Sequence, residues 1–220
     1  MTEPEWLACA DPTPMLKVVR GKVSDRKLRL FAVACCRRGR SILRSRTTLA
    51  ALDALEAYAD GLITRKVMEE RRSAWYRRFD YPFPISGTWN AALAQATITH
   101  TKVWAGEAAE QAARASKNPD KEQALQARYL RDIFGNPFRP SPALPPAVLA
   151  WNGGTVRRIA QGIYEDRKMP EGTLDNSRLA ILADALLDAG CEDEALIRHC
   201  RSEGPHVRGC WAVDLILGKG

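Results

Sequence analysis

The sequence predicts an all-α protein, and three observations support this class. Apolar residues recur at steps of three and four along almost the whole chain, capping residues precede these runs, and no window alternates apolar and polar residues as a strand would. With 220 residues, 45% of them hydrophobic, the chain is long enough to bury a core. We predict an irregular helical bundle of roughly eight to ten helices, with solenoid-like stacking as the alternative, although no repeat of fixed period is present.

Each predicted helix follows from its own start and stop signals. Thr2 and Asp11 are the expected N-caps of two short helices, and Gly21 ends the second. Ser24 caps a helix over 25–38, and Asp25 favours its first turn because the helix dipole is positive there. The later segments share a capping or proline start and an apolar helical period; they are 48–60, a helix after Thr64, 88–116, 118–134, 155–167, 177–189, 193–201 and 206–217.

Proline marks the main interruptions. The segment 81–87 contains two prolines, which remove backbone donors and exclude a helix. The segment 135–146 has five prolines and is expected to be an extended connector. We therefore predict one helical domain over 1–220, with a division into an N-terminal part (1–134) and a C-terminal part (147–220) as the alternative.

The positive charge of the chain is concentrated in its first 80 residues. They contain 17 Lys+Arg and 10 Asp+Glu, whereas the remainder contains 16 of each, so the whole formal excess of +7 lies in 1–80. A localised excess of this kind favours a polyanionic partner, nucleic acid included.

A helical projection of the segment after Ser24 places several arginines on one face, opposite an apolar face. We predict that this basic face points to solvent, where guanidinium groups suit phosphate oxygens. The candidate polyanion-binding residues are Arg26, Arg29, Arg37, Arg40, Arg44, Arg71, Arg72, Arg77 and Arg78. The last four flank Trp75 and Tyr76, which would stack on bases or, alternatively, pack inward. No helix-turn-helix, zinc-finger or RNA-binding signature accompanies them.

The cysteines and histidines near the C-terminus suggest a metal site. The chain has six cysteines, which we expect to be reduced and mostly buried. Imidazole and thiolate are zinc ligands, and His206 and Cys210 lie four residues apart. The candidate metal ligands are His199, Cys200, His206 and Cys210. The usual Cys-x-x-Cys spacing is missing, so the alternatives are core packing of these residues or a Cys–His catalytic pair. We expect no cofactor, with zinc at these residues as the alternative.

Four longer stretches resemble a family of uncharacterised planctomycete proteins that occur in many paralogous copies per genome. They are EWLAC at 5–9, SDRKLRLFAVACCRR at 24–38, LRDIFGNPFRP at 130–140 and HVRGCW at 206–211. The resemblance implies a bacterial cytoplasmic protein, and it supplies no activity, cofactor or catalytic residue.

The sequence thus favours a non-enzymatic helical interaction module. It contains no catalytic motif, and neither a secretory signal nor an apolar run of membrane-spanning length, so we expect a cytoplasmic protein without a membrane partner. An unidentified protein is the expected partner, with a polyanion bound by the arginine-rich region as a further candidate, and no oligomeric state is indicated. The alternative is a zinc- or thiol-dependent site or enzyme built from the C-terminal His/Cys cluster.

Overall fold

The computed structural model describes residues 1–77, 88, 92–93, 96, 101–140 and 142–220, and of residues 101–104 it describes the backbone alone. The described residues form eleven helices and no strand, which confirms the all-α class. The closest approach to a sheet within them is a pair of isolated bridges, from Lys168 to Thr173 and from Thr173 to Val207. None of the described helices is both long enough and apolar enough to cross a bilayer.

The helices begin largely where the capping residues predict. Thr2, Ser24 and Thr64 each accept a hydrogen bond from a backbone N–H in the first turn of the following helix. In chain order the helices are α1 (Glu3–Ala8), α2 (Pro12–Val19), α3 (Asp25–Cys36), α4 (Arg46–Ala59), α5 (Arg65–Tyr76), α6 (Thr101–Ala115), α7 (Pro119–Phe134), α8 (Pro146–Glu165), α9 (Asn176–Asp188), α10 (Glu194–Cys200) and α11 (Trp211–Leu217).

Several predicted boundaries differ from the observed ones; the helix predicted over 25–38, for example, ends at Cys36. Ser45, which accepts a hydrogen bond from Thr48 N, starts α4 two residues before the predicted helix over 48–60. The helix predicted over 155–167 is the second part of α8, whose first part starts within the connector and ends at a break over 151–154, where Asn152 has a φ of 47°. The last helix begins at Trp211 and not at 206. For the long helix predicted over 88–116, the continuous described part is α6, and most of 88–100 lies outside the described residues.

Two hydrophobic cores organise the bundle. The first is built from the helices α1 to α7, and α3 lies at its centre, against α4, α6 and α7. The second is built from α8 to α11. Contacts between helices far apart in the chain, such as α2 with α7 and α3 with α6, are those of a bundle, since helices of a solenoid touch their sequence neighbours.

The junction of the two cores is polar and holds the candidate site. The end of α7 meets α11 there, and Gly135 closes α7 with a φ of 67°. A Cβ at this glycine would lie 3.2 Å from Cγ of Trp211, so the junction needs both its backbone conformation and its small size. Trp6 strengthens the same corner by donating from Nε1 to the carbonyl of Gly135 at 3.2 Å.

Candidate metal centre

Asp132 is a buried carboxylate in the last turn of α7. Its neighbours Leu130 and Ile133 face the first core, and the helix thereby holds the carboxylate at the junction with the second. The backbone N–H of Val207 donates to Asp132 Oδ2 at 2.8 Å. One oxygen is therefore fixed by the segment that precedes α11, and the other faces the histidines.

His206 is fully enclosed and its ring orientation is set at both nitrogens. Nδ1 lies 2.7 Å from Asp132 Oδ1, and Nε2 lies 3.1 Å from the carbonyl oxygen of Ser202. The Ser202 hydroxyl in turn donates to the carbonyl of His199 at 2.8 Å. Because the carbonyl of Ser202 can only accept, Nε2 carries a proton, and Nδ1 is the nitrogen available to a metal.

His199 and Cys210 complete the group from two other segments. His199 stands in the last turn of α10, and its Nε2 lies 3.1 Å from Cys210 Sγ and 3.2 Å from Asp132 Oδ1. Cys210 is the buried residue that precedes α11. The His199 ring also contacts the rings of His206 and Trp211, at centroid distances of 4.8 and 5.0 Å.

Together these four residues form a possible metal-binding cluster. One ligand atom from each of Asp132, His199, His206 and Cys210 lies within 4.8 Å of the other three. The structure thus brings together three of the four ligands predicted from the sequence. Cys200 is the exception, because it packs in the second core outside the cluster.

Sequence analysis missed Asp132, which lies 74 residues before His206. The available signal was its position as a carboxylate within the apolar run LRDIF at a helix end, where burial requires a partner. Nothing in the sequence indicates that the partners are histidines more than sixty residues away.

Burial and charge set the protonation of the cluster. Burial by itself would raise the pKa of Asp132, but hydrogen bonds and positive charge from His199 and His206 outweigh it and lower the pKa to about 2. For His206, burial opposes the charged form, yet the hydrogen bond and the charge of Asp132 leave its pKa raised. Burial, together with the negative charge of Asp132, raises the pKa of the Cys210 thiol well above its ordinary value.

The arrangement does not match a Cys–His–Asp catalytic triad. In such a triad one imidazole nitrogen faces the thiol and the other faces the orienting carboxylate. Here the contacts of His199 to Cys210 and to Asp132 both run through Nε2. Convergence of oxygen, nitrogen and sulfur donors on one volume is instead typical of a transition-metal site.

The prediction that the basic face is exposed to solvent is wrong for Arg26, Arg29 and Arg37. The helix ends at Cys36, so Arg37, Arg40 and Arg44 are not on it. Arg26 bridges the two cores: it donates to Asp60 Oδ1 at 2.9 Å, to Asp214 Oδ2 at 2.7 Å and to Tyr164 Oη at 2.8 Å. Because α3 is packed on several sides, the side of the helix opposite its apolar residues is also covered.

Arg29 and Arg37 are buried as well. Arg29 lies over the Tyr58 ring, 4.9 Å from its centroid. Arg37 is 2% exposed and forms two 3.0 Å hydrogen bonds with the carboxylate of Glu56. The prediction that these two arginines are exposed to solvent is therefore wrong.

The remaining candidate arginines differ in exposure. Arg72 is half-buried over the Tyr76 ring, at 5.7 Å, and Trp75 packs inward in the first core. Four are exposed, namely Arg40, Arg44, Arg71 and Arg77. Arg78 lies outside the described residues. A polyanion-binding role stays a prediction for the exposed group alone.

Comparison of the chain with protein-family models, curated proteins and solved structures gives no match.

Proposed function

We propose that this protein is a metal-binding helical module in which Asp132, His199, His206 and Cys210 hold one divalent ion of the zinc class. The observation that carries the proposal is the convergence of four donor atoms, from α7, from α10 and from the segment before α11, within 4.8 Å. One carboxylate, two imidazoles and one thiol are ligand types that zinc accepts.

Two of the distances between ligand atoms are close to those around a tetrahedral ion, whereas the widest pair, which is up to 4.8 Å apart, would have to close by about 1 Å. Zinc–ligand bonds of about 2.0 to 2.3 Å place the ligand atoms of a tetrahedral site about 3.3 to 3.6 Å apart. The contacts of His199 Nε2 to Cys210 Sγ and Asp132 Oδ1, 3.1 and 3.2 Å, are close to these edges. The 2.7 Å contact between Asp132 and His206 has to lengthen by about half an ångström when the metal replaces the shared proton.

The surroundings of the ligands also support the proposal. Metal-bound histidines commonly donate their second N–H to a carbonyl or carboxylate, which fixes the ring and raises its basicity. His206 does so toward the Ser202 carbonyl, and the Val207 N–H holds the second oxygen of Asp132. Binding of the metal would displace the proton of the Cys210 thiol into solvent, since the thiolate is the form that binds zinc.

The position of the cluster indicates a structural role for the ion. Asp132 belongs to a helix of the first core, whereas Cys210 belongs to the second, so one ion would fasten the two. Four protein ligands are typical of structural zinc sites. This supports a non-enzymatic module whose further partner, as the sequence analysis expects, is another protein.

Elemental analysis of protein purified without chelator tests the proposal. We expect about one zinc ion per chain in the wild type and a loss of most of it in Cys210→Ser and His199→Gln. Cys200→Ser is the matched control, because this thiol is equally buried but lies outside the cluster, and it should keep its zinc. A metal-free wild type after incubation with zinc, or equal zinc in Cys210→Ser and wild type, would refute the assignment.

A further inference from the structure

A small cleft opens directly onto the metal cluster. It has a volume of about 150 Å³, and three of the four cluster residues line it, namely Asp132, His199 and His206. Cys210 is fully buried and does not line the cleft. The thiol therefore lies at the inner end of the cluster, and the cleft lies on the opposite side.

This asymmetry determines where a metal could accept another ligand. An ion placed among the four donors is covered by protein on the side of Cys210. On the side of the cleft, Asp132 and His206 are 3% and 1% exposed, whereas His199 is 16% exposed. Zinc in a protein site can expand from four to five ligands. A small molecule in the cleft would therefore approach the ion beside His199.

Two arginines give the cleft a positive charge. Arg128 and Arg131 line it from successive turns of α7, beside Asp132. Arg128 is exposed and contacts the carbonyl of Gly204, whereas Arg131 is held in place by donating from Nη1 to the carbonyls of Trp6 and Cys9 at 3.1 and 2.9 Å. A divalent ion bound by one carboxylate and one thiolate has no net formal charge. The positive charge of the two arginines therefore favours a negatively charged ligand.

We propose that this cleft binds a small oxyanion, a phosphate or carboxylate group, with one oxygen on the metal and another on Arg128. The inference rests on the proposed metal function and adds the chemistry of what that metal centre recognises. Guanidinium forks match the paired oxygens of phosphate and carboxylate, and ionised hydrogen bonds to them are the strong ones. The site would thus recognise a terminal anionic group and leave the rest of the ligand outside the cleft.

The test uses the full chain loaded with Co²⁺, whose visible absorption changes with coordination number. Inorganic phosphate and acetate are titrated separately at constant ionic strength, while release of Co²⁺ is followed with a metal indicator. We expect a saturable spectral change for at least one of the two anions without release of Co²⁺, and comparison of the two distinguishes a phosphate from a carboxylate site.

Substitution of Arg128 locates the anion. Arg128→Gln should weaken anion binding about tenfold, because a charge-assisted hydrogen bond is lost. The titration is made with wild type and variant both saturated with Co²⁺, so that a change in Co²⁺ affinity does not enter the comparison. The control is Arg198→Gln, since Arg198 is an exposed arginine of α10 that pairs with Glu194 and does not line the cleft. This control should bind the anion as the wild type does.

The possible failures are distinguishable. A chain that does not bind Co²⁺ would refute the metal function itself. A Co²⁺ spectrum that neither anion changes, or that changes only as Co²⁺ is released, would overturn the oxyanion site and leave the metal function intact. Equal anion affinity in Arg128→Gln and wild type would likewise overturn it.

Discussion

Arg37→Met is expected to destabilise the protein strongly, although the sequence suggested a surface arginine. The guanidinium forms two 3.0 Å bonds with Glu56, one of 2.6 Å with Asp53 and one of 2.8 Å with the carbonyl of Pro170. Methionine fills much of the same volume but supplies neither the charge nor the donors.

The magnitude follows from what the substitution leaves behind. Glu56 is 3% exposed and would keep Arg167, at 2.8 Å, as its close partner. Removing one member of a buried ion pair commonly costs about 3 to 5 kcal/mol, because the other charge remains buried. Since Arg167 still compensates part of the charge, we expect about 3 kcal/mol, the lower end of that range.

Urea unfolding followed by far-UV circular dichroism measures this loss. Arg40→Met is the control, because Arg40 belongs to the same predicted basic face but is exposed, and its change should stay within about 0.5 kcal/mol. In the double variant Arg37→Met/Glu56→Met, the loss should be smaller than the sum of the two single losses. Equal stabilities of Arg37→Met and Arg40→Met would refute the assignment of Arg37 to a buried network.

Two further predictions concern the junction between the two hydrophobic cores. Asp60 accepts hydrogen bonds from Arg26 and Arg208. Burial alone would raise the pKa of Asp60, but the charges of the two arginines and the hydrogen bond from the Tyr164 hydroxyl outweigh it and lower the pKa. The carboxylate therefore stabilises the fold above the unfolded pKa of 3.8, and this contribution is lost as the pH falls through the lower folded pKa. The difference in unfolding free energy between wild type and Asp60→Asn should therefore be largest near neutral pH and shrink below pH 3.8, and a difference independent of pH would contradict this. Gly135→Ala should lower stability more than Gly218→Ala in thermal unfolding, by about 1 kcal/mol or more, because both glycines have positive φ but a Cβ meets Trp211 only at Gly135. Equal losses would show that the backbone conformation alone matters.

The error in the basic face has a specific physical cause. A helical projection gives the angle of a residue about the helix axis, and it carries no information on how many neighbours surround the helix. Here α3 packs against α4, α6 and α7, and Arg26 on its remaining side meets Asp214, a residue 188 positions away. Some of the arginines that we predicted to be exposed, such as Arg26, therefore form ion pairs across the junction of the two cores.

The candidate metal-binding cluster shows the same division between local and distant information. The ligand chemistry of histidine and cysteine singled out three cluster residues, because it belongs to the side chain itself. The four-residue spacing of His206 and Cys210 did not place them on one helix face, since α11 begins after both. The exclusion of Cys200 could not be predicted, since residues 199 and 200 differ by about 100° around α10 and only packing decides which of them faces Asp132.

The sequence by itself determined the helical class and most helix starts, because periodicity and capping act within a few residues. Ser24 and Thr64 cap α3 and α5 through hydrogen bonds that span three positions. The tertiary structure alone decided which polar groups are buried together, as with Asp132 and His206 across 74 positions. Such pairs depend on how complete helices pack, and the free energy that selects one packing is summed over both cores and is not encoded in any short segment.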